Sequence, residues 1–234
     1  MNGEVVVVTG AGKGIGREIA FEFAKGGAAV AICARTLDSI KAVEREIKER
    51  GGEALAIVCD IGIEEEVERF INEVSQISGG INVLVNNAGV AFVESVSRLD
   101  LSRWEQTIRV NLTGAFLMTK YALGFMREGD HIFNIVSIAS KAGFPNWSAY
   151  CASKSGLLGF TNSLREELRG MGIKVTAIIP GPTDTPLWKE IPGNWDRTRM
   201  MKPEDVARAV VNIYKQPKET LTEEIVIMPI GGAF

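Results

Sequence analysis

Histidine is nearly absent from this chain, with His131 the single example in 234 residues. A histidine-based catalytic triad or a histidine-rich metal site would rest on that one side chain. It lies beside Ile132 and Phe133 at the start of an apolar run, so neither is expected and no metal site is assigned. Cysteine is scarce and odd in number (Cys33, Cys59 and Cys151), with no CxxC pair. That argues against a disulfide framework or a structural zinc site and favours a reducing, cytoplasmic setting. No apolar run approaches the roughly 18 residues that mark a membrane span. Met1-Asn2-Gly3-Glu4 lacks the basic segment of a secretion signal, and the apolar run behind it breaks at Thr9 and Gly10. An excess of one charge sign is missing too: 26 Lys and Arg face 29 Asp and Glu, a net charge of -3. That balance argues against nucleic-acid or anionic-membrane partners.

What is present is a make-up of 46% hydrophobic and 24% charged residues, which fits a soluble protein with a substantial core. A chain of this size buries roughly 70% of its unfolded surface without staples. Short β-branched or apolar runs recur at Val5–Val8, Ala29–Cys33, Ala54–Cys59, Asn82–Val85, Ile132–Val136, Lys174–Ile178 and Glu224–Met228. They read as strands buried on both faces. Helical spacing fills the gaps. Leu37, Ile40, Val43 and Ile47 make one stripe, and Val67, Phe70, Ile71, Val74 and Ile77 another that ends at Gly79-Gly80. Longer helices are predicted from about Ser102 to Arg127 and Ser148 to Met171, and a last one from Pro203. Strand–helix alternation with right-handed crossovers predicts an α/β fold: one doubly wound Rossmann domain over residues 1–234, a seven-stranded parallel sheet with helices on both faces. Residues 180–201 differ in texture, with four prolines, Trp188, Trp195 and no periodicity. A loop that long after the sixth strand reads as a substrate lid.

Behind the first strand, Thr9-Gly10-Ala11-Gly12-Lys13-Gly14-Ile15-Gly16 leads into a helix at Arg17. Small residues let backbone approach a pyrophosphate, and a helix N-terminus offers it N–H donors. Gly10, Gly12 and Gly16 fit a loose GxGxxxG pattern, although glycine turns also arise for purely structural reasons. An NAD site expects a carboxylate about 20 residues on. Here the second strand ends Ala34-Arg35-Thr36. Arg35 suits a 2′-phosphate, with Lys13 able to reach the same group, so NADP is favoured over two merely solvated cations. Asp60 reads either as an acceptor for the adenine amino group or as a helix cap with Glu64 nearby.

Tyr150 and Lys154 stand four residues apart on one predicted helix. A free phenol has a pKa of about 10, and a fixed cation beside it favours the phenolate, which makes a workable general acid–base pair. Ser137 ends the fifth strand thirteen residues upstream of Tyr150, at the edge where a cleft would open. Asn86, Asn87 and Gly89 could be a turn, and Asn111 a kink or cap within its helix.

The ordered set Thr9-Gly10-x-x-x-Gly14-Ile15-Gly16, Asp60, Asn86-Asn87-Ala88-Gly89, Asn111, Ser137, Tyr150-x-x-x-Lys154 and Pro180-Gly181-x-x-x-Thr185 resembles the short-chain dehydrogenase/reductase family along the whole chain. The resemblance implies that Tyr150 is the acid in carbonyl reduction and the base in alcohol oxidation. It implies that Lys154 lowers the tyrosine pKa and holds the nicotinamide ribose, that Ser137 orients the substrate oxygen, and that Asn111 supports a water relay. It extends the cofactor-binding set to Ile15, Thr36, Ile61, Asn87, Ala88, Gly89, Pro180, Gly181, Thr183 and Thr185.

Substrate contacts are expected from Ser137, Ala139, Phe144, Trp147, Tyr150, Leu187 and Trp188, with Ile138, Val93 and Pro182 beside them. This apolar, aromatic lining favours a neutral ketone, aldehyde or 3-oxoacyl group over a dianion. Within the family, the resemblance is to bacterial 3-oxoacyl-carrier-protein reductases and NADP-dependent carbonyl reductases. Trp104, Phe116, Tyr121 and Phe125 on one helix, with Phe160 and Leu164 on the next, exceed what one sheet face needs. A homodimer or homotetramer is therefore expected, as in the family. An NAD-dependent sugar or polyol dehydrogenase is the alternative enzyme reading, opposed by the lack of an acid at Ala34. A non-catalytic dinucleotide sensor is the alternative outside enzymes, opposed by intact Ser137, Tyr150 and Lys154.

Overall fold

Seven strands alternate with seven α-helices over residues 1–232, the part described by this computed structural model; the last two residues of the expected domain lie outside it. The strands are β1 (Val5–Thr9), β2 (Ala29–Ala34), β3 (Glu53–Val58), β4 (Val83–Asn86), β5 (His131–Ile135), β6 (Lys174–Pro180) and β7 (Glu224–Ile227). All pairings are parallel, in the order β3-β2-β1-β4-β5-β6-β7. Side chains alternate across the pleat, and β1 shows the result. Val6 and Val8 join one core layer with Ile19 and Phe23 of α1 (Gly14–Lys25), Ile40 of α2 (Leu37–Glu49) and Val206 of α7 (Pro203–Tyr214). Val7 joins the opposite layer with Phe70 of α3 (Glu64–Ser78), Met118 of α5 (Gly114–Ala122) and Leu164 of α6 (Ser148–Arg169).

Two sequence expectations are corrected. Burial on both faces fails at β3 and β7, which are the sheet edges and are only partly covered; Val226 of β7 is 47% exposed. The single helix expected from Ser102 to Arg127 is broken into four pieces. These are α4 (Leu101–Ile108), a π-turn (Arg109–Thr113), α5 and a 3-10 turn (Leu123–Phe125). The wider π-turn carries Asn111 inward, where its side chain bonds the backbone of Val90, a local demand that regular helix spacing does not meet. Gly114 follows because Ile61 presses against it: a Cβ there would lie 2.6 Å from Ile61 Cδ1.

β1 has β2 on one side and β4 on the other, so successive crossovers leave in opposite directions and a crevice opens beyond the carboxyl ends of the strands. The structure has a cleft of about 850 Å³ there.

Candidate active site

The glycine loop leaves Thr9 at the end of β1 and enters α1. Gly10 is in the left-handed region (φ 65°), and a Cβ on it would sit 2.7 Å from the Ala88 Cα; only glycine fits that close approach. Gly14 is also left-handed (φ 60°). The first turn of α1 has neither a side-chain cap nor an acidic residue, so its N–H groups are left for an anion at the cleft. Gly10, Gly12, Lys13, Gly14 and Ile15 line the cleft, whereas Gly16 does not. Gly16 instead makes room for Asn87, whose Nδ2 would lie 2.3 Å from an added Cβ. That amide donates to the carbonyls of Thr9 (2.9 Å) and Gly10 (3.3 Å), while the Asn87 and Ala88 N–H groups donate to Thr9 Oγ1 at 3.0 and 3.1 Å. Asn87 and Ala88 thus line the cleft and also hold the glycine loop against the end of β4.

Arg35 and Thr36 border the cleft beside Ala34. Arg35 is exposed, and among the described residues it has no ion-pair partner. Lys13 departs from expectation. Its Nζ reaches Glu190 Oε1 at 3.1 Å, tying the glycine loop to the segment after β6 instead of converging with Arg35. The cause is the nearest carboxylate, which the sequence places 177 residues away. Asp60 lines the cleft and its Oδ1 accepts from the Gly62 N–H at 2.9 Å, with Ile61 beside it. It builds the turn ahead of α3, and its own N–H donates to Glu66, not to Glu64.

Ser137 follows β5, and Tyr150 and Lys154 stand one turn apart near the start of α6. Ser137 Oγ accepts from the Ala139 N–H at 3.1 Å, and both Ser137 and Tyr150 line the cleft. Lys154 Nζ donates to the Ile135 carbonyl at 2.8 Å and lies 5.8 Å from the centre of the Tyr150 ring. Burial pushes the Tyr150 phenol up, and the Ser137 hydroxyl pulls it partly back. Burial pulls the Lys154 ammonium down to about 8. The loss of hydration dominates at both groups, and the ammonium is turned toward Ile135, so Lys154 is not among the causes of the tyrosine's shift in this structure. Asn111 is buried and off the cleft wall. Its Oδ1 accepts from the Val90 N–H (2.8 Å), and its Nδ2 donates to the Val90 carbonyl (2.9 Å) and to Ser153 Oγ (3.0 Å). Ser153 in turn donates to the Tyr150 carbonyl at 2.8 Å. The asparagine links the loop after β4 to the helix that bears the tyrosine.

At the substrate end, Ile138, Ala139, Phe144, Trp147, Pro182, Leu187 and Trp188 border the cleft as expected, and Val93 does not. Gly89, Pro180, Gly181, Thr183 and Thr185 line the wall between the two ends. The segment after β6 folds into two 3-10 turns, Pro186–Lys189 and Arg197–Arg199. Its neck is closed: Thr183 bridges Met201, with Asp184 N–H donating to the Met201 carbonyl (2.8 Å) and Met201 N–H to that of Pro182 (3.0 Å).

Several supporting residues escaped the sequence reading. Asn134 of β5 accepts from Asn86 Nδ2 at 2.9 Å and donates to Thr161 Oγ1 at 2.8 Å, while Asn86 also donates to Thr119 at 3.2 Å. This buried chain joins β4 and β5 to α5 and α6 beneath the catalytic groups. An asparagine inside an apolar strand run was the available signal. Glu190 and Trp195 on the cleft wall had no such signal.

The profile of the family described as short chain dehydrogenase matches residues 4–195. A sepiapterin reductase of Chlorobaculum tepidum is 34% identical, covering 97% of both chains. A 3-oxoacyl-[acyl-carrier-protein] reductase of Aquifex aeolicus is also 34% identical, over 100% of this chain and 98% of its own. A crystal structure of a metagenomic short-chain oxidoreductase in complex with NADP superposes with a TM-score of 0.86 at 33% identity, covering 98% of each chain. By the profile match and these relatives, the chain belongs to the short-chain dehydrogenase family of oxidoreductases.

Proposed function

We propose that this protein is an NADP(H)-dependent oxidoreductase that interconverts a carbonyl (ketone, aldehyde or 3-oxoacyl group) and the corresponding alcohol. The observation that carries the reading is that Ser137, Tyr150 and the Lys154 ammonium line one cleft together with the glycine loop and Arg35, which has no ion-pair partner among the described residues. The relative bound to NADP and the two relatives named as reductases support it. Gly10 and Gly12 keep the loop packed on its neighbours at the cleft wall, since a Cβ on either would collide with Ala88 or Ser39. The first turn of α1 faces the pyrophosphate, Asp60 and Ile61 the adenosine, Arg35 the 2′-phosphate, and Thr185 the nicotinamide. When bound, NADPH supplies a hydride to the carbonyl carbon, and NADP+ takes one back in the reverse direction.

The protein's own work is done on the oxygen. Ser137 Oγ donates a hydrogen bond to the carbonyl oxygen and fixes its position. Tyr150, kept protonated at neutral pH by its burial, transfers its phenolic proton to that oxygen as charge develops. Lys154 then faces a phenolate and stabilises it by charge. Asn111 holds the Val90 loop and Ser153, and through them the start of α6. Residues 180–201 act as the lid that excludes water.

The test is Tyr150→Phe, assayed with NADPH and a panel of ketones by loss of nicotinamide absorbance. Binding of NADPH and the unfolding midpoint should persist while turnover falls by about a hundredfold or more. A variant keeping over about a tenth of the wild-type rate would remove Tyr150 as the acid.

A further inference from the structure

Three of the four tryptophans in the chain gather at the substrate end of the cleft, which makes that end far more aromatic than the rest of the molecule. The Trp147 ring lies 5.4 Å from that of Tyr150 at 69°. Trp188 lies 6.0 Å from Trp147 at 59°, and Trp195 5.0 Å from Trp188 at 57°. The rings form a continuous wall from the catalytic phenol out along the lid. Their orientation is set by the backbone. Asn146, left-handed at φ 70°, turns the chain just ahead of Trp147. Trp188 Nε1 donates to the Thr183 carbonyl at 2.8 Å, beside the lid neck, and Trp195 Nε1 to the Pro192 carbonyl at 3.1 Å. With those N–H groups bonded to backbone, the three rings line the cleft.

The cations bordering the cleft are Lys13, Arg35 and Lys154. The first two belong to the glycine loop and the end of β2, and the third to the proton-transfer cluster. Lys189 and Arg197 of the lid do not line it, and Arg197 is paired with Asp184. Among the described residues, the substrate end therefore holds aromatic rings and no cation for a carboxylate or phosphate. Planar π systems gain from offset or edge-to-face contact with such rings beyond the area they bury.

Resting on the carbonyl-reductase reading above, we propose that the substrate class is neutral aryl or heteroaryl carbonyl compounds and their alcohols. The ring lies on the Trp147–Trp188 wall, and the reacting carbon, bonded to that ring, is presented to Tyr150. The balance is that of any carbonyl reduction: the carbon gains a hydride from NADPH, the oxygen gains the Tyr150 proton, which solvent restores, and the alcohol and NADP+ leave.

The experiment compares acetophenone with cyclohexyl methyl ketone, which has the same skeleton and a saturated ring, and includes butanone as a ringless control. The ratio of kcat/KM for the aryl and cyclohexyl ketones is measured in the wild type, Trp147→Leu, Trp188→Leu and Trp188→Phe. Within this series the intrinsic reactivities of the two ketones cancel. The ratio should fall about three- to tenfold in each leucine variant, the size of an aromatic contact, and be retained in Trp188→Phe. Quenching of tryptophan fluorescence by acetophenone in the wild-type NADP+ complex should weaken in both leucine variants. A ratio unchanged by leucine, or lowered equally by leucine and phenylalanine, overturns the proposal. Reduction of butanone with neither cyclic ketone consumed overturns it too and leaves the carbonyl-reductase reading intact. Failure of all three ketones to consume NADPH overturns the proposal as well, and the carbonyl-reductase reading falls with it if aldehydes and 3-oxoacyl thioesters are also left unreduced.

Discussion

Arg35 stands at the cleft rim directly after Ala34, where a carboxylate would bind the ribose hydroxyls of NAD. A guanidinium there favours the extra phosphate of NADP through charge-assisted, forked hydrogen bonds. Arg35→Ala should weaken NADPH binding about ten- to a hundredfold and leave NADH binding nearly unchanged. Titration of both cofactors by fluorescence checks this, and an unchanged NADPH constant would mean that another residue holds the phosphate. Because Lys13 is engaged by Glu190, most of the effect is assigned to Arg35. His131 is the reverse case, a titratable group removed from solvent. It stacks on Phe133 at 3.9 Å, and its Nε2 lies 2.8 Å from Thr176 Oγ1. That hydroxyl gives its proton to the Thr222 carbonyl (2.6 Å), so the imidazole donates to it through Nε2–H. Burial, aided by Lys174, holds its pKa down at about 3. Between that value and the ordinary 6.5 the unfolded chain carries a proton that the folded chain refuses, so stability is lost as pH falls through this window. Lowering the pH from 7 to 5 should cost the wild type about 2 kcal/mol more than His131→Phe, read from urea unfolding at both pH values. Equal pH slopes would show that the imidazole is not held neutral.

At the scale of elements, the lid is tied down twice. The Thr183–Met201 bridge closes its neck, and the Lys13–Glu190 ion pair rests its body on the glycine loop. The pair is exposed on both sides and so is readily broken. Hydrogen exchange of residues 185–200 should slow on adding NADPH, whereas the neck amides of Asp184 and Met201 should be slow in both states. Glu190→Gln should speed exchange of the lid body in the free enzyme. Uniform exchange with and without NADPH would argue against a lid. The elements also show what a sequence can and cannot disclose. All seven strands match their sequence-read bounds to within one or two residues at either end, because apolar runs between glycine-rich turns report burial directly. The π-turn at Asn111 was illegible, since its cause is a pair of bonds to Val90, a residue 21 positions away. Gly10, Ser137, Tyr150 and Lys154 were legible because their spacing is a property of the chain. The upward shift of the tyrosine was not, because it depends on how deeply α6 packs.

Over the whole molecule, apolar surface remains where the sequence had too many aromatic residues for one core. Leu164 is buried, but Leu101 is 69%, Phe116 46% and Trp104 37% exposed, with Phe160 edge-on to Phe116 at 6.3 Å. We expect this face to pair copies of the chain into a dimer or tetramer, since contiguous exposed apolar surface of this kind marks interfaces. Light scattering after gel filtration should give a multiple of 25.4 kDa, and Trp104→Glu combined with Phe116→Glu should lower it. A monomeric wild type at micromolar concentration would count against the assignment. The closed lid neck has a different kind of consequence. Its two ends meet through backbone hydrogen bonds of 2.8 and 3.0 Å, so the path between them can change in length or sequence without asking the sheet to move. The dinucleotide half has no such freedom, because Gly10, Gly16, Asn87 and Ala88 press directly on one another. We expect residues 186–200, beyond the neck and the Thr185 that packs on the glycine loop, to be in this sense an exchangeable cassette: evolution or an engineer can rewrite what the enzyme acts on there while the hydride machinery stays as it is.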